Sequence, residues 1–231
     1  MTNEFRYSAN DKLSDLISDN FMLLMVMSRF GLSLGFGEKS VREACETQGV
    51  DCKTFLAVAN FINSHHPGRE STNDEFALLS LMSYLKNAHT YFLDFYLPLI
   101  RRKLIEAIDC SEGNNVAMLI VKFYDDMVAE VRAHMEYENT MVFTYVEDLL
   151  SGKRNTRYSI AKFARHHSQI DERLRELKNL IIKYSPQRGD NNLLNAVLFD
   201  IFNCEQDLAS HRQVEDEMFV PAVAALEKAI T

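Results

Sequence analysis

The chain has 231 residues, 47% of them apolar, with eight Gly, four Pro and no Trp. That length supports a sizeable core, in one domain or in a small domain beside a larger one, and the scarcity of turn formers favours helix over an all-β or disordered chain. A formal charge of −8 argues against nucleic acid as the main partner, because phosphate binding needs clustered Lys and Arg.

The N-terminus, Met1 to Arg6, lacks the basic start and apolar run of a signal peptide. Phe21 to Val26 is too short an apolar run to span a bilayer, and no basic amphipathic face marks a membrane surface. Cys45, Cys52, Cys110 and Cys204 are scattered without a CxxC, so they read as reduced thiols of a cytoplasmic protein. Cys45 and Cys52 could ligate a metal; the plainer reading is two small, partly buried apolar residues.

Residues 1 to 64 read as a separate unit of short helices. Asp11 to Arg29 carries Leu13, Leu16, Ile17, Leu23, Leu24 and Met27 at near-helical spacing and stops at Phe30-Gly31. Gly31, Gly35 and Gly37 form a turn, and Ser40 with Glu43 makes a capping box for a helix that Gln48-Gly49 ends. Asp51 caps the next, whose apolar face is Phe55, Val58, Phe61 and Ile62. Residues 65–73, from His65-His66-Pro67-Gly68 to Asn73, are polar and rich in turn formers and read as a linker. The two histidines there have the look of solvated loop.

From Thr72, a capping partner for Glu75, the chain carries four long helical patterns. They run from about 74 to 108, 115 to 150, 159 to 184 and 192 to 229, with Pro98 expected to kink the first and Pro221 to bend the end of the fourth. Short polar connections between long amphipathic helices predict an all-α, up-down four-helix bundle over residues 74–231.

The inward stripe of each helix contains a histidine. The first reads Leu78, Met82, Leu85, His89, Phe92, Tyr96, Leu99, and the second Ile120, Phe123, Met127, Val131, His134, Glu138, Met141, Tyr145, Leu149. The third reads Ile160, Phe163, His167, Ile170, Leu174, Leu177, Ile181, and the fourth Val197, Ile201, Cys204, Leu208, His211, Glu215, Met218. His167 continues its stripe better than His166, which sits about 100° away. A lone histidine on an apolar face is ordinarily a core residue bonded to a carbonyl. Here two of the four are followed at i+4, one turn along the same face, by a carboxylate. Buried, unpaired glutamates would each cost several kcal/mol, a problem a metal cation removes.

Four imidazoles and two carboxylates are too many for a four-coordinate structural zinc and too rich in nitrogen for magnesium or calcium. The set suits two iron ions, each with two histidines, bridged by Glu138 and Glu215. A ferritin-like site would show Glu-x-x-His pairs instead. Tyr84, Tyr91, Tyr137 and Tyr145 lie near this region of the stripes, where packing is the commoner role. A metal-free helical interaction protein is the bland alternative.

His89, His134-x-x-x-Glu138, His167 and His211-x-x-x-Glu215, followed by Met218-Phe219-Val220-Pro221, resemble the hemerythrin-like domain, and more narrowly that of the Ric family of iron–sulfur cluster repair di-iron proteins (the YtfE and ScdA type). The resemblance runs from about residue 75 to the end. Residues 11 to 64 resemble that family's small N-terminal domain, with Gly31-Leu32 and the stretch from Gly37 to Cys45 in recognisable positions. Where the family shows adjacent cysteines, this chain has Leu34-Gly35-Phe36.

The resemblance implies a non-haem di-iron protein of nitrosative and oxidative stress defence, repairing damaged iron–sulfur clusters by iron supply or nitric oxide handling. It implies His89, His134, His167 and His211 as terminal ligands and Glu138 and Glu215 as bridges. The alternative is a module that binds dioxygen or nitric oxide without turnover, and the missing cysteine pair moves weight toward it. A diatomic gas and iron–sulfur client proteins are the expected partners. The oligomeric state is open, a homodimer being one expectation.

Overall fold

The computed structural model describes residues 6–63, 75–108, 115–153, 158–163, 170–185 and 190–230. Among them every regular element is helical, apart from an isolated antiparallel bridge between Lys12 and Ser40. The fold is all-α, a helical bundle preceded by short N-terminal helices. The linker expected at 65–73 and the cap at Thr72 lie outside the described residues. The chain divides into two compact units, Met1–Ala88 with Ser210–Ala229 and Thr231, and His89–Ala209 with Ile230.

The first unit opens with α1 (Leu13–Asp19), α2 (Leu23–Arg29), α3 (Val41–Gln48) and α4 (Cys52–Asn63). The apolar pattern from Asp11 to Arg29 predicts one helix, yet it is broken at Asn20. The Asn20 N–H still donates to Leu16 O, but its φ and ψ are extended, and its side-chain oxygen accepts the Met22 N–H at 3.1 Å. An Asn side chain that bonds nearby backbone offers the chain an alternative to the helical ladder.

The capping box is present: the Glu43 N–H donates to Ser40 Oγ while the Ser40 N–H donates to Glu43 Oε2. The Ser40 N–H and then the Ser40 hydroxyl, both donating to Glu43 Oε2, hold the Glu43 carboxyl below the usual carboxylate range. Gly49, at φ 68°, ends α3 in the left-handed conformation that glycine adopts without strain. Asp51 caps α4, accepting from the Lys53 N–H and from Thr54 Oγ1.

These helices pack on α5 (Leu78–Thr90) through rings and two polar clasps. Phe30 stacks on Tyr84 at 5.0 Å and meets Phe55 edge-on at 5.7 Å. Asn87 Nδ2 donates to Arg29 O, and the Ala77 N–H donates to Thr54 Oγ1. Asn60 holds the start of the chain by exchanging two hydrogen bonds with the Tyr7 backbone.

The second unit carries α6 (Leu97–Ala107), α7 (Asn115–Tyr137), α8 (Phe143–Leu150), α9 (Ile160–Phe163), α10 (Ile170–Tyr184) and most of α11 (Asn191–Val214). Its core is the expected aliphatic one, with Ile120, Met127 and Val131 of α7, Leu174, Leu177 and Ile181 of α10, and Val197, Ile201 and Cys204 of α11 all buried. Polar clasps lie around it: Arg101 grips Asp125 bidentately, Lys103 pairs with Asp200, Arg173 with Glu130 and Lys178 with Glu205.

Three long helical tracts are not α throughout. Tyr91–Tyr96, Glu138–Val142 and Glu215–Phe219 are π-helical, the last leading into α12 (Val220–Ala229). A π turn inserts one residue into the ladder and advances the phase of everything after it. The inward positions after His89 are therefore Leu97, Ile100 and Leu104, all buried, while Leu99 is only partly covered. After Glu138, Val142 and Phe143 are buried and Met141, expected inside, is 52% exposed.

Two of the π turns explain how the prolines are accommodated. The Leu97 N–H bonds back five residues to Phe92 O, and Pro98 follows at the start of α6; the Val220 N–H bonds to Glu215 O just before Pro221. Pro98 has no N–H to continue the ladder, and Arg132 Nη2 reaches the Leu93 carbonyl at 3.4 Å.

Tyr124 carries its buried hydroxyl to Leu97 O at 2.7 Å, beside this junction. Tyr124→Phe should lower stability by about 0.5–1.5 kcal/mol, the net worth of one buried hydrogen bond. Chemical denaturation measures it, and an unchanged midpoint would show that the bond contributes nothing.

Candidate metal centre

In the second unit the site is built at one helix junction. His134 stands in the last turn of α7 and Glu138 opens the π turn that follows, so the pair keeps the i, i+4 spacing of one helical face. His134 Nε2 lies 2.9 Å from Glu138 Oε1, and His89 Nε2, from the end of α5, lies 3.1 Å from Glu138 Oε2. One carboxylate thus has an imidazole nitrogen against each oxygen.

Glu138 is 1% exposed and His89 fully buried, while His134 is partly open to solvent. Neither Glu138 oxygen accepts a hydrogen bond of normal geometry. His89 Nδ1 faces Asn139 Oδ1 at 2.9 Å. An amide oxygen can only accept, so that contact puts the ring proton on Nδ1 and leaves Nε2 with its lone pair toward Glu138. Phe143, one turn on, stacks on the His89 ring at 5.6 Å and fixes its plane.

In the first unit the same device recurs. His211 stands in the last turn of α11, Glu215 opens the next π turn, and His211 Nε2 lies 3.2 Å from Glu215 Oε1 with both side chains buried.

These contacts test whether a cation fits. At His89, whose proton is on Nδ1, the Nε2 lone pair faces a carboxylate lone pair at 3.1 Å, a repulsive contact that calls for a positive charge. A proton on Nε2 would sit on the N···O line and make an ordinary hydrogen bond, which the Glu138 contacts are not. A metal lies off that line. With metal–nitrogen and metal–oxygen bonds of about 2.0–2.2 Å, neighbouring corners of an octahedron are about 3 Å apart, the separation found here. His89, Glu138, His211 and Glu215 each offer a ligand atom to a cation. The donors are imidazole and carboxylate without thiolate, a set for first-row transition metals rather than for an iron–sulfur cluster. The residues fit a metal.

Of the expected ligands, the structure brings His89, His134 and Glu138 together in one unit and His211 with Glu215 in the other. His167, like His166, His65 and His66, lies outside the described residues. Asn139 was not legible as a site residue. It follows Glu138 directly, and a continuous α-helix would turn it away by about 100°. Tyr158 was missed as well. Its hydroxyl meets that of Tyr137 at 3.2 Å and its ring meets Tyr145 edge-on at 4.8 Å. Burial, then the bond to Tyr137, pushes the acidity of Tyr158 well down, with the Glu138 charge acting in the same direction. Tyr84 and Tyr91 instead pack among rings, on Phe30 and on Phe92 and Phe95.

Residues 80–223, more than half of the chain, match the hemerythrin HHE cation-binding domain. The chain belongs to the hemerythrin HHE family. The matched stretch contains all six expected ligands, and with the His/Glu contacts above it makes this a metal-binding hemerythrin-like protein. No curated protein matches the chain closely enough to name a nearer relative. No helix among the described residues is long and apolar enough to cross a membrane.

Asn139 sets the tautomer and orientation of His89, a candidate ligand, and losing such a support weakens metal binding by about 10–100-fold. Asn139→Leu, titrated with ferrous ion against a competing chelator, should show that loss while the apo-protein melts near wild type. Equal affinities would show that His89 needs no such support.

Proposed function

We propose that His89, His134, Glu138, His167, His211 and Glu215 converge on one non-haem di-iron centre, with the histidines terminal and the two carboxylates bridging. The observation that carries this is Glu138, buried with one imidazole nitrogen against each of its oxygens. The recurrence of the His-x-x-x-Glu device at His211 and Glu215, each time at the start of a π turn, supports a symmetric centre. Among first-row metals, iron suits a site of several imidazoles and two carboxylates with positions left for a small ligand.

When bound, iron supplies redox chemistry and open coordination positions for a diatomic gas. The chain's own part is fixed by its geometry. Glu138 presents both oxygens at once, Asn139 holds the His89 proton on Nδ1, and Phe143 covers the His89 ring. Dry surroundings strengthen the hold of two carboxylates on cations and protect a reactive centre from water.

On this reading the protein is of the Ric type, acting in nitrosative and oxidative stress to restore damaged iron–sulfur clusters by iron supply or nitric oxide handling. It would work in the cytoplasm, with residues 1–64 as the family's N-terminal domain and residues 74–231 as the di-iron bundle. Iron–sulfur proteins would be its clients and a homodimer one form of assembly. A second reading is reversible binding of dioxygen or nitric oxide without turnover. It is favoured by Gly35, which has φ 87° where the Ric type carries cysteine. A side chain there would be strained, so this turn is built without a thiol.

Protein purified without added metal or chelator should hold about two iron ions per chain and show the near-ultraviolet bands of a bridged diferric pair. Zinc at one per chain would defeat the di-iron reading. Glu138→Ala and Glu215→Ala should each lose iron and the stability that bound metal adds, about 4 kcal/mol for metal at a thousand times its dissociation constant. Unchanged iron content and melting temperature in both would defeat the bridging assignment. Catalytic consumption of nitric oxide by the reduced protein would support the first reading, and stoichiometric, reversible uptake the second.

A further inference from the structure

Outside the metal centre the structure brings together two thiols that the proposed function does not use. Cys45 lies in the last half of α3 and Cys52 is the first residue of α4, with only residues 46–51 between them. The turn that joins them is held from several sides. The Gly49 and Val50 N–H groups both donate to Cys45 O, the latter at 2.9 Å, and Asp51 caps the first turn of α4. The two side chains are left facing each other, their thiols hydrogen-bonded. Neither is in a disulfide.

We propose that Cys45 and Cys52 form a redox-active dithiol that low-molecular-weight disulfides of the glutathione class oxidise reversibly to an intramolecular disulfide. The two thiols are not equivalent. Cys45 is wholly buried, and burial, then the neighbouring Cys52, pushes it up to about 12. Cys52 is only partly buried; burial raises it too, but the bond from Cys45 and the charge of Arg42 favour its thiolate. Arg42 stands three residues before Cys45 on α3, on the same side of the helix. Cys52 is therefore the thiol that meets the oxidant and Cys45 the one that resolves.

The step balances. The Cys52 thiolate attacks one sulfur of the external disulfide, forming a mixed disulfide and releasing one thiolate. Cys45 then gives up its proton to a released thiolate and attacks Cys52 Sγ, expelling the second. Two protein thiols become one disulfide, and one external disulfide becomes two thiols. The new bond, about 2.05 Å long, would tie the end of α3 to the start of α4, so the N-terminal helices would store two electrons against the thiol–disulfide balance around them. This proposal is independent of the metal centre.

The test uses the full chain. Reduced protein is equilibrated in buffers running from fully reduced to fully oxidised glutathione, quenched with acid, unfolded, alkylated and mapped by peptide mass. Cys45 and Cys52 should lose alkylation together at one midpoint and recover it with dithiothreitol, while the buried Cys204 stays alkylatable throughout. Cys45→Ser should stop at the glutathione adduct on Cys52, and Cys52→Ser should leave Cys45 reduced at every ratio. The rate should rise about tenfold per pH unit, as it does for a thiol attacking below its own pKa. A wild-type Cys45 that remains alkylatable at equilibrium in fully oxidised glutathione would overturn the pair. Because that result needs no variant, misfolding of a mutant cannot obscure it.

Discussion

A carboxylate that is 1% exposed, with an imidazole nitrogen against each oxygen, sets the terms for the second unit. Left alone in an apolar interior, an ionised Glu138 would be costly by several kcal/mol. Its neighbours are arranged to meet a cation rather than a proton. Asn139 keeps the His89 proton on the far nitrogen, Phe143 holds the ring plane, and no ordinary donor is offered to either oxygen. Stability and ligand binding are therefore joined at one residue.

The helix geometry around the two His/Glu pairs follows one pattern. In each, the histidine stands in the last turn of an α-helix and the glutamate opens a π turn. The i, i+4 pair thus keeps its α spacing while the residues beyond it rotate forward. Single π turns are frequent at functional sites, and here the reason is visible. After Glu138 the added residue brings Val142 and Phe143 inward, so a ring covers His89 where a regular helix would have placed Met141. A third π turn follows His89 and precedes Pro98, whose missing N–H the longer ladder tolerates; Pro221 stands in the same relation to the third tract's counterpart at Glu215–Phe219.

The N-terminal helices show the opposite balance, with local chemistry in charge. Ser40 and Glu43 cap α3, Gly49 ends it and Asp51 starts α4, each by bonds within a few residues of sequence. These were legible because caps are short-range devices. The break at Asn20 is also local, but the apolar pattern across it is continuous, and periodicity outweighs one asparagine in a reading from sequence.

By itself the sequence determined the all-α class, the long tracts, the caps of α3 and α4 and the helix faces on which His89, His134, Glu138, His211 and Glu215 lie, because burial at a period of 3.6 residues selects a face and a polar residue on that face is conspicuous. What it could not carry is phase after an interruption. A π turn depends on whether distant groups such as Arg132 take up the freed carbonyls and whether the shifted side chains find a core, and neither is encoded nearby. Asn139 and Phe143 therefore meet His89, and Met141 is a surface residue, only in the folded chain. The same holds for Cys45 and Cys52, scattered in sequence and joined only by how tightly α3 turns into α4.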